Sequence, residues 1–170
     1  MRALACLPAA ALLLAGASAQ ADTMPHRKAG LWEVHMNSQD QRMPQSTMQF
    51  CIDASTDGQM MNMGARRAQE NCTKPTPHNS GNVTTMDFQC TMAGHRQNTH
   101  IVFTRQGDDA YTMEMHSEMV PPMRGMGQHT MVETAKWMGP CKAGMQPGDM
   151  IMPGGMKMNV LNPHPTMPGQ

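Results

Sequence analysis

Residues 110–119 alternate between apolar and polar side chains. The apolar side carries Met113, Met115 and Met119. A period of two residues is the pattern of a β-strand with one buried face, so this stretch predicts a strand whose apolar residue is methionine. This use of methionine matters for the whole chain, which has 23 methionines but only 4% aromatic residues. If methionine did not fill core positions, this low content of other large apolar residues would predict a disordered chain.

The same alternation recurs elsewhere and predicts further strands. These predicted strands cover residues 30–36, 47–52, 83–92, 98–105 and 129–138. Turn signals at residues 93–96 and 106–109 join three of the strands into a meander. A short helix is expected within residues 53–71, with Ser55 or Asp57 as its cap. The sequence therefore predicts a mainly β protein, built as a single antiparallel curved sheet or a small open barrel.

Residues 1–21 have the features of a secretory signal peptide. Arg2 precedes an apolar run over residues 3–15, and small residues end the segment at 17–19. The apolar run is shorter than the about 20 residues that cross a bilayer, and no later segment reaches that length. We therefore expect a folded domain over residues 22–141, a periplasmic or secreted location and no transmembrane segment.

The chain keeps four cysteines after the predicted signal, an even number that suits an oxidising compartment. Three pairings are possible, and we expect Cys72 to pair with Cys90 and Cys51 with Cys141. The first disulfide would close a short loop around a predicted turn, and the second would join the ends of the domain. Zinc binding is the alternative, although the chain has no Cys-x-x-Cys pair.

The charge balance and the motifs argue against several classes of function. Thirteen basic residues match thirteen acidic ones and no basic stripe is present, so nucleic acid is not an expected partner. No nucleophile elbow, pair of carboxylates at catalytic spacing or His-Glu-x-x-His helix occurs. We therefore expect no catalytic residues, and a small binding or protective protein rather than an enzyme.

The last part of the chain, residues 142–170, has a different composition. Proline and glycine are dense there, and no hydrophobic period is visible. Because proline removes backbone hydrogen-bond donors, we expect a disordered C-terminal tail outside the folded domain.

Methionine and histidine form the clusters with the clearest chemical meaning. Thioethers are soft, neutral ligands for Cu(I) or Ag(I), and imidazole also binds Cu(II). The candidate metal ligands are Met150, Met152, Met156 and Met158 in the tail, together with Met126, His129 and Met131. Methionines that follow the strand alternation, such as Met86, Met113 and Met115, are instead expected to pack on the core side of the sheet.

The start of the predicted domain, residues 28–34, reads Lys-Ala-Gly-Leu-Trp-Glu-Val. Single cysteines follow at Cys51, Cys72 and Cys90, and a Gly-Pro-Cys triplet ends at Cys141. With this series the chain resembles a family of secreted Gram-negative proteins of unknown function, whose members open with Gly-Leu-Trp-Glu. Members usually carry proline at the position of Ala29. The resemblance implies a periplasmic, mainly antiparallel β domain, and it supplies no activity and no catalytic residues.

Two main hypotheses for the function remain open. The chain could sequester Cu(I) or Ag(I) through its methionine-rich segments, or it could bind an apolar ligand or an envelope protein without any metal. Scavenging of oxidants by methionine is a third hypothesis. An exposed concavity lined with methionine would favour the apolar ligand, and a filled sheet interior would count against it.

Overall fold

A computed structural model describes residues 23–38, 45–60, 71–123 and 126–166 of the protein, which leaves the predicted signal segment outside the description. The elements in chain order are β1 (Gly30–Ser38), β2 (Ser46–Ile52), α1 (54–60), β3 (Thr76–Ser80), β4 (Val83–Met92), β5 (His95–Gln106), β6 (Ala110–Met123), β7 (Met126–Gly139), β8 (Asp149–Ile151), β9 (Lys157–Asn159) and β10 (Asn162–Thr166). All ten strands lie in one antiparallel sheet, in the order β10-β9-β8-β2-β1-β7-β6-β5-β4-β3. Over these described residues, the predicted mainly β fold is confirmed as a single open sheet with one helix.

The predicted alternation separates the two sides of the sheet. Its core face carries a buried cluster of Trp32, Val34, Ile52, Phe103, Tyr111 and Ala135. The ring centroid of Tyr111 lies 4.7 Å from that of Phe103 and 5.7 Å from that of Trp32. Met113 packs against this cluster, whereas Glu114 and His116 are exposed on the opposite side, the outer face. Methionine therefore does take core-facing positions in this sheet.

Both predicted disulfides are confirmed. Cys51 and Cys141 connect β2 to the segment after β7, and Cys72 and Cys90 connect the chain ahead of β3 to β4. In the chain-entropy model the two cross-links contribute about 3 and about 4.5 kcal/mol, the larger value for the longer loop. Because all four of these cysteines are paired, the zinc alternative is excluded.

The helix α1 begins directly after Asp53, which is its N-cap. The carboxylate of Asp53 accepts a hydrogen bond from the backbone N–H of Thr56 at 2.7 Å, and the Thr56 hydroxyl accepts one from the Asp53 N–H at 2.7 Å. This reciprocal pair satisfies two donors at the start of the helix. The backbone N–H of Thr56 also lowers the pKa of Asp53. The cap is thus neither Ser55 nor Asp57, and residues 61–70 of the predicted helix lie outside the described residues.

The sequence predicts a disordered tail over residues 142–170, but the structure describes strands within residues 149–166; residues 167–170 lie outside the described residues. Within that segment β8 pairs with β2, with Phe50 opposite Met150 and Gln49 opposite Ile151, and β9 and β10 follow in the sheet. These strands are short and need no hydrophobic period of their own, because the exposed edge of β2 supplies the partner groups for their backbone. Pairing with an existing edge therefore overrides the composition.

Both edge strands of the sheet contain proline. In β3 the proline is Pro77, and in β10 prolines occupy positions 163 and 165. A proline has no backbone N–H, so part of the donor row is missing along each edge strand.

Candidate functional site

Four methionines lie on one face of the β8–β9 hairpin. Met150 and Met158 are cross-strand partners, and the Met152 N–H donates a hydrogen bond of 2.8 Å to the carbonyl of Met156, which makes those two the next pair. Side chains two positions apart in a strand point to the same side, so all four share one face. The structure thus brings together Met150, Met152, Met156 and Met158, the predicted tail ligands, in what we name the methionine hairpin.

The methionine hairpin is accessible and separate from the core. Met150 pairs with Phe50, which places the hairpin methionines on the core-face side of the sheet, and all four are half-buried. Of the described residues that pack against the buried cluster, none belongs to the hairpin. Directly opposed side chains of an antiparallel pair have Cβ atoms about 4.5–5.5 Å apart, within reach of long thioether side chains. The arrangement can therefore present several sulfur atoms to one soft ion.

Asp149 holds the opposite face of the hairpin in place. Its carboxylate accepts hydrogen bonds from the Gln146 N–H at 2.9 Å, the Asn159 amide at 3.0 Å and the Lys157 ammonium at 3.4 Å. Burial alone would raise the pKa of Asp149, but the Gln146 N–H, the Asn159 amide and Lys157 together lower it. The ionised carboxylate is therefore the form that supports the hairpin.

A close backbone approach attaches the hairpin to the disulfide region. The Gly148 N–H donates to the carbonyl of Cys51 at 2.8 Å, and the Gly148 carbonyl accepts from the Val160 N–H at 2.8 Å. Gly148 has a φ of +93°, and a Cβ there would lie 2.9 Å from the side-chain oxygen of Asn159. Only glycine fits this position, which fixes the start of β8 next to Cys51.

The remaining predicted ligands are not part of the methionine hairpin. His129 and Met131 lie on the core face of β7, opposite Ser117 and Met115 of β6. Their strand is three steps away from β8 in the sheet, or about 14 Å at the usual strand spacing. Met126 belongs to the same strand, and its side chain lies outside the description. The seven predicted ligands therefore do not converge on one site.

A row of polar residues crosses the outer face on four neighbouring strands. Asp87, His100, His116 and Thr130 are successive cross-strand partners from β4 to β7. They line an open groove of about 660 Å³. This row is not among the sequence-based predictions, although the turn at residues 106–109 contains the signal for it. Residues at equal distances from that turn pair across β5 and β6, which places His100 opposite His116.

A second polar cluster lies within the core face. The Nε of Arg27 donates to the carboxylate of Asp57 at 2.7 Å, and the hydroxyl of Tyr111 donates to Glu133 at 2.6 Å. Burial, followed by the charge of Glu133, raises the pKa of Tyr111. Burial would lower the pKa of Arg27, but Tyr111 and Asp57 together raise it. The cluster fastens residues 23–29 and α1 onto the sheet, and its groups are already paired.

Over residues 27–141 the chain matches a family described as a protein of unknown function, DUF3617. The chain belongs to this family. No curated protein and no solved structure matches it. The DUF3617 domain spans β1 to β7 and both disulfides, and it ends at Cys141, so the methionine hairpin lies beyond the matched range.

In the described part of this DUF3617 protein, no three His, Cys, Asp or Glu side chains are grouped so that they could hold a metal ion. That observation does not concern thioether ligands. The described residues also contain no helix with the length and hydropathy needed to cross a membrane.

Proposed function

We propose that this DUF3617 protein binds a soft monovalent metal ion, Cu(I) or Ag(I), on the methionine hairpin. The observation that carries the proposal is the placement of Met150, Met152, Met156 and Met158 on one half-buried face of a two-stranded hairpin. The proposed activity is sequestration, and it requires no catalytic residue.

The chemistry of the hairpin favours this class of ion. Thioethers are soft and uncharged, so they discriminate against hard cations such as Mg²⁺ or Ca²⁺. They do not form disulfides, and they therefore persist as ligands where cysteines are oxidised. The ionic network around Asp149 lies on the other face of the hairpin from the methionines.

The proposal includes an extracytoplasmic location. Two disulfides, one of them between residues 90 positions apart, support an oxidising compartment because such bonds are rare where thiols are kept reduced. The predicted signal segment at residues 1–21 points the same way.

Binding of an apolar ligand on the core face receives less support. Trp32, Phe103 and Tyr111 pack against one another in the buried cluster on that face. The described cleft beside them, about 370 Å³, is bordered by the charged side chains of Arg27 and Arg105, among others. Charged borders disfavour a purely apolar occupant.

An anaerobic Cu(I) titration of the full chain against a chromogenic Cu(I) chelator tests the proposal. We expect a dissociation constant below about 1 μM. Replacing all four hairpin methionines by leucine should weaken binding at least tenfold, because leucine keeps the volume but removes the sulfur. The matched control replaces four core-face methionines, Met86, Met113, Met115 and Met131, by leucine and should retain full affinity. Equal affinity of the wild type and the hairpin variant would refute the proposal.

A further inference from the structure

We propose that the outer face carries a second, separate metal site, in which His100 and His116 bind a divalent transition-metal ion, above all Cu(II). The two histidines are direct cross-strand partners on β5 and β6. Opposed Cβ atoms on an antiparallel pair lie about 4.5–5.5 Å apart, so both imidazoles can reach one ion at about 2 Å.

The hydrogen bonds of the two rings engage the same nitrogen, Nδ1, on each. The Nδ1 of His100 lies 2.8 Å from the carboxylate of Asp87, which can only accept, so Nδ1 carries the proton. The Nδ1 of His116 lies 3.0 Å from the hydroxyl of Thr130, which accepts equally well. When Nδ1 carries the proton, the Nε2 lone pair of each imidazole is available to an ion. Orientation of a metal-binding histidine through its other nitrogen is the usual arrangement.

The charge around the groove favours a cation. Its described lining includes the carboxylates of Asp87 and Glu118 and contains no lysine or arginine. Glu114 adds a further carboxylate, 3.7 Å from the Nε2 of His116. A positive ion in the groove would therefore meet two imidazole donors and a negative surrounding.

The number of protein ligands points to the class of metal. Because the described residues contain no group of three suitable side chains, two imidazoles are the protein ligands and water completes the coordination. Imidazole suits Cu, Ni and Zn, and for a given set of nitrogen and oxygen ligands Cu(II) binds most tightly in the divalent series. A site of this kind is expected to bind Cu(II) in the micromolar range, at about −8 kcal/mol.

The proposed site is independent of the methionine hairpin. It lies on the opposite face of the sheet, and β6 is four strands from β8. The hairpin would take Cu(I) through sulfur, whereas the outer-face site would take Cu(II) through nitrogen. If an experiment disproves binding at one of the two sites, the proposal for the other site is unaffected.

Titration of the purified full chain with Cu(II) at about pH 7.5, followed by electron paramagnetic resonance, tests the site. The wild type is expected to bind one Cu(II) with two imidazole nitrogens in its coordination sphere. His100→Ala and His116→Ala should each weaken binding at least tenfold and reduce the count to one nitrogen. Both side chains are on the outer face, so these variants are expected to fold, and their circular dichroism checks this.

His35→Ala is the matched control. His35 is also on the outer face, with its Nδ1 2.9 Å from the hydroxyl of Thr47 and its Nε2 3.2 Å from Glu33. Its cross-strand partners are threonines, Thr47 and Thr134, so it has no facing imidazole. This variant should bind Cu(II) like the wild type. The proposal is overturned if the two-nitrogen signal survives in His116→Ala, or if His35→Ala loses as much affinity as His100→Ala.

Discussion

Asp57 is completely buried, and its carboxylate accepts two hydrogen bonds from Arg27, thirty residues earlier in the chain. One bond comes from the Arg27 backbone N–H at 2.9 Å and the other from its Nε at 2.7 Å. The Arg27 side chain is itself only 16% exposed. The pair joins the segment before β1 to α1 at a largely buried position.

Removal of this carboxylate is expected to destabilise the fold strongly. Asp57→Ala leaves the Arg27 guanidinium buried without its counter-charge, which should lower the free energy of unfolding by about 3–5 kcal/mol. Urea denaturation followed by tryptophan fluorescence measures the change. The control is Asp109→Ala, because the Lys28–Asp109 pair is 42% and 62% exposed. The control should cost less than about 1 kcal/mol, and equal losses in the two variants would contradict the burial argument.

The ionisation of Tyr111 should be suppressed in the folded protein. The chain has a single tyrosine, so its alkaline absorbance change reports this residue alone. Burial and Glu133 raise the pKa of Tyr111 above its ordinary value of 10.0. The stabilisation is therefore complete below the ordinary pKa and is lost as the pH rises through the folded value. At about pH 10.5 the native protein should show little phenolate and the urea-unfolded protein a majority. Equal phenolate fractions would disprove the prediction.

Asp149→Asn should weaken the hairpin in a pH-dependent way. The folded state lowers the pKa of Asp149 below its ordinary 3.8, because hydrogen bonds from the Gln146 N–H, Asn159 and Lys157 outweigh burial. The stabilisation is therefore present above the ordinary pKa and disappears as the pH falls through the folded value. We expect a loss of about 1–3 kcal/mol at pH 7, shrinking at about pH 3.

Urea denaturation of the wild type and of Asp149→Asn at the two pH values gives this difference. Asp108→Asn is a suitable control, because Asp108 is exposed in the turn between β5 and β6. It should change stability little at either pH. A loss for Asp149→Asn that stays constant from pH 7 to pH 3 would show that the charge of Asp149 is not what supports the hairpin.

Gly30→Ala tests the close approach at the start of β1. Gly30 has a φ of +131°, and a Cβ there would collide with the carbonyl of Gly139 and the indole nitrogen of Trp137. Strained backbone and steric overlap together should cost at least about 2 kcal/mol in chemical denaturation. Gly107→Ala is the matched comparison, since Gly107 also has positive φ, +69°, but nothing lies within 4 Å of its Cβ position. It should cost about 1 kcal/mol, and a larger loss than for Gly30→Ala would be inconsistent with the described contacts.

The strands with a full hydrophobic period could be predicted from the sequence. In β1, Trp32 and Val34 alternate with Glu33 and His35, and this local pattern decides which side is buried. The even number of cysteines predicted two disulfides, and the turn predicted between Cys72 and Cys90 favoured that pair. The strand alternation and this short loop depend on residues close in sequence, whereas Cys51 and Cys141 lie 90 positions apart.

The strands and contacts that depend on distant residues could not be predicted in this way. β8 contains three residues and exists because β2 offers it an edge, a tertiary effect absent from local composition. The bond between Arg27 and Asp57 joins residues 30 positions apart, and neither has a local signature. For the candidate site, the sequence named the four hairpin methionines but not their common face, which follows only from the pairing of β8 with β9.

The prolines of the two outermost strands affect how this protein can associate with others. An incoming strand from a second molecule would seek a continuous ladder of backbone donors, and β3 and β10 both interrupt it, at Pro77 and at positions 163 and 165. Edge-to-edge pairing of several copies into a fibre is therefore disfavoured. We therefore expect this protein to contact its partners through side chains on the two faces of the sheet, and not by adding a partner's strand to its edges.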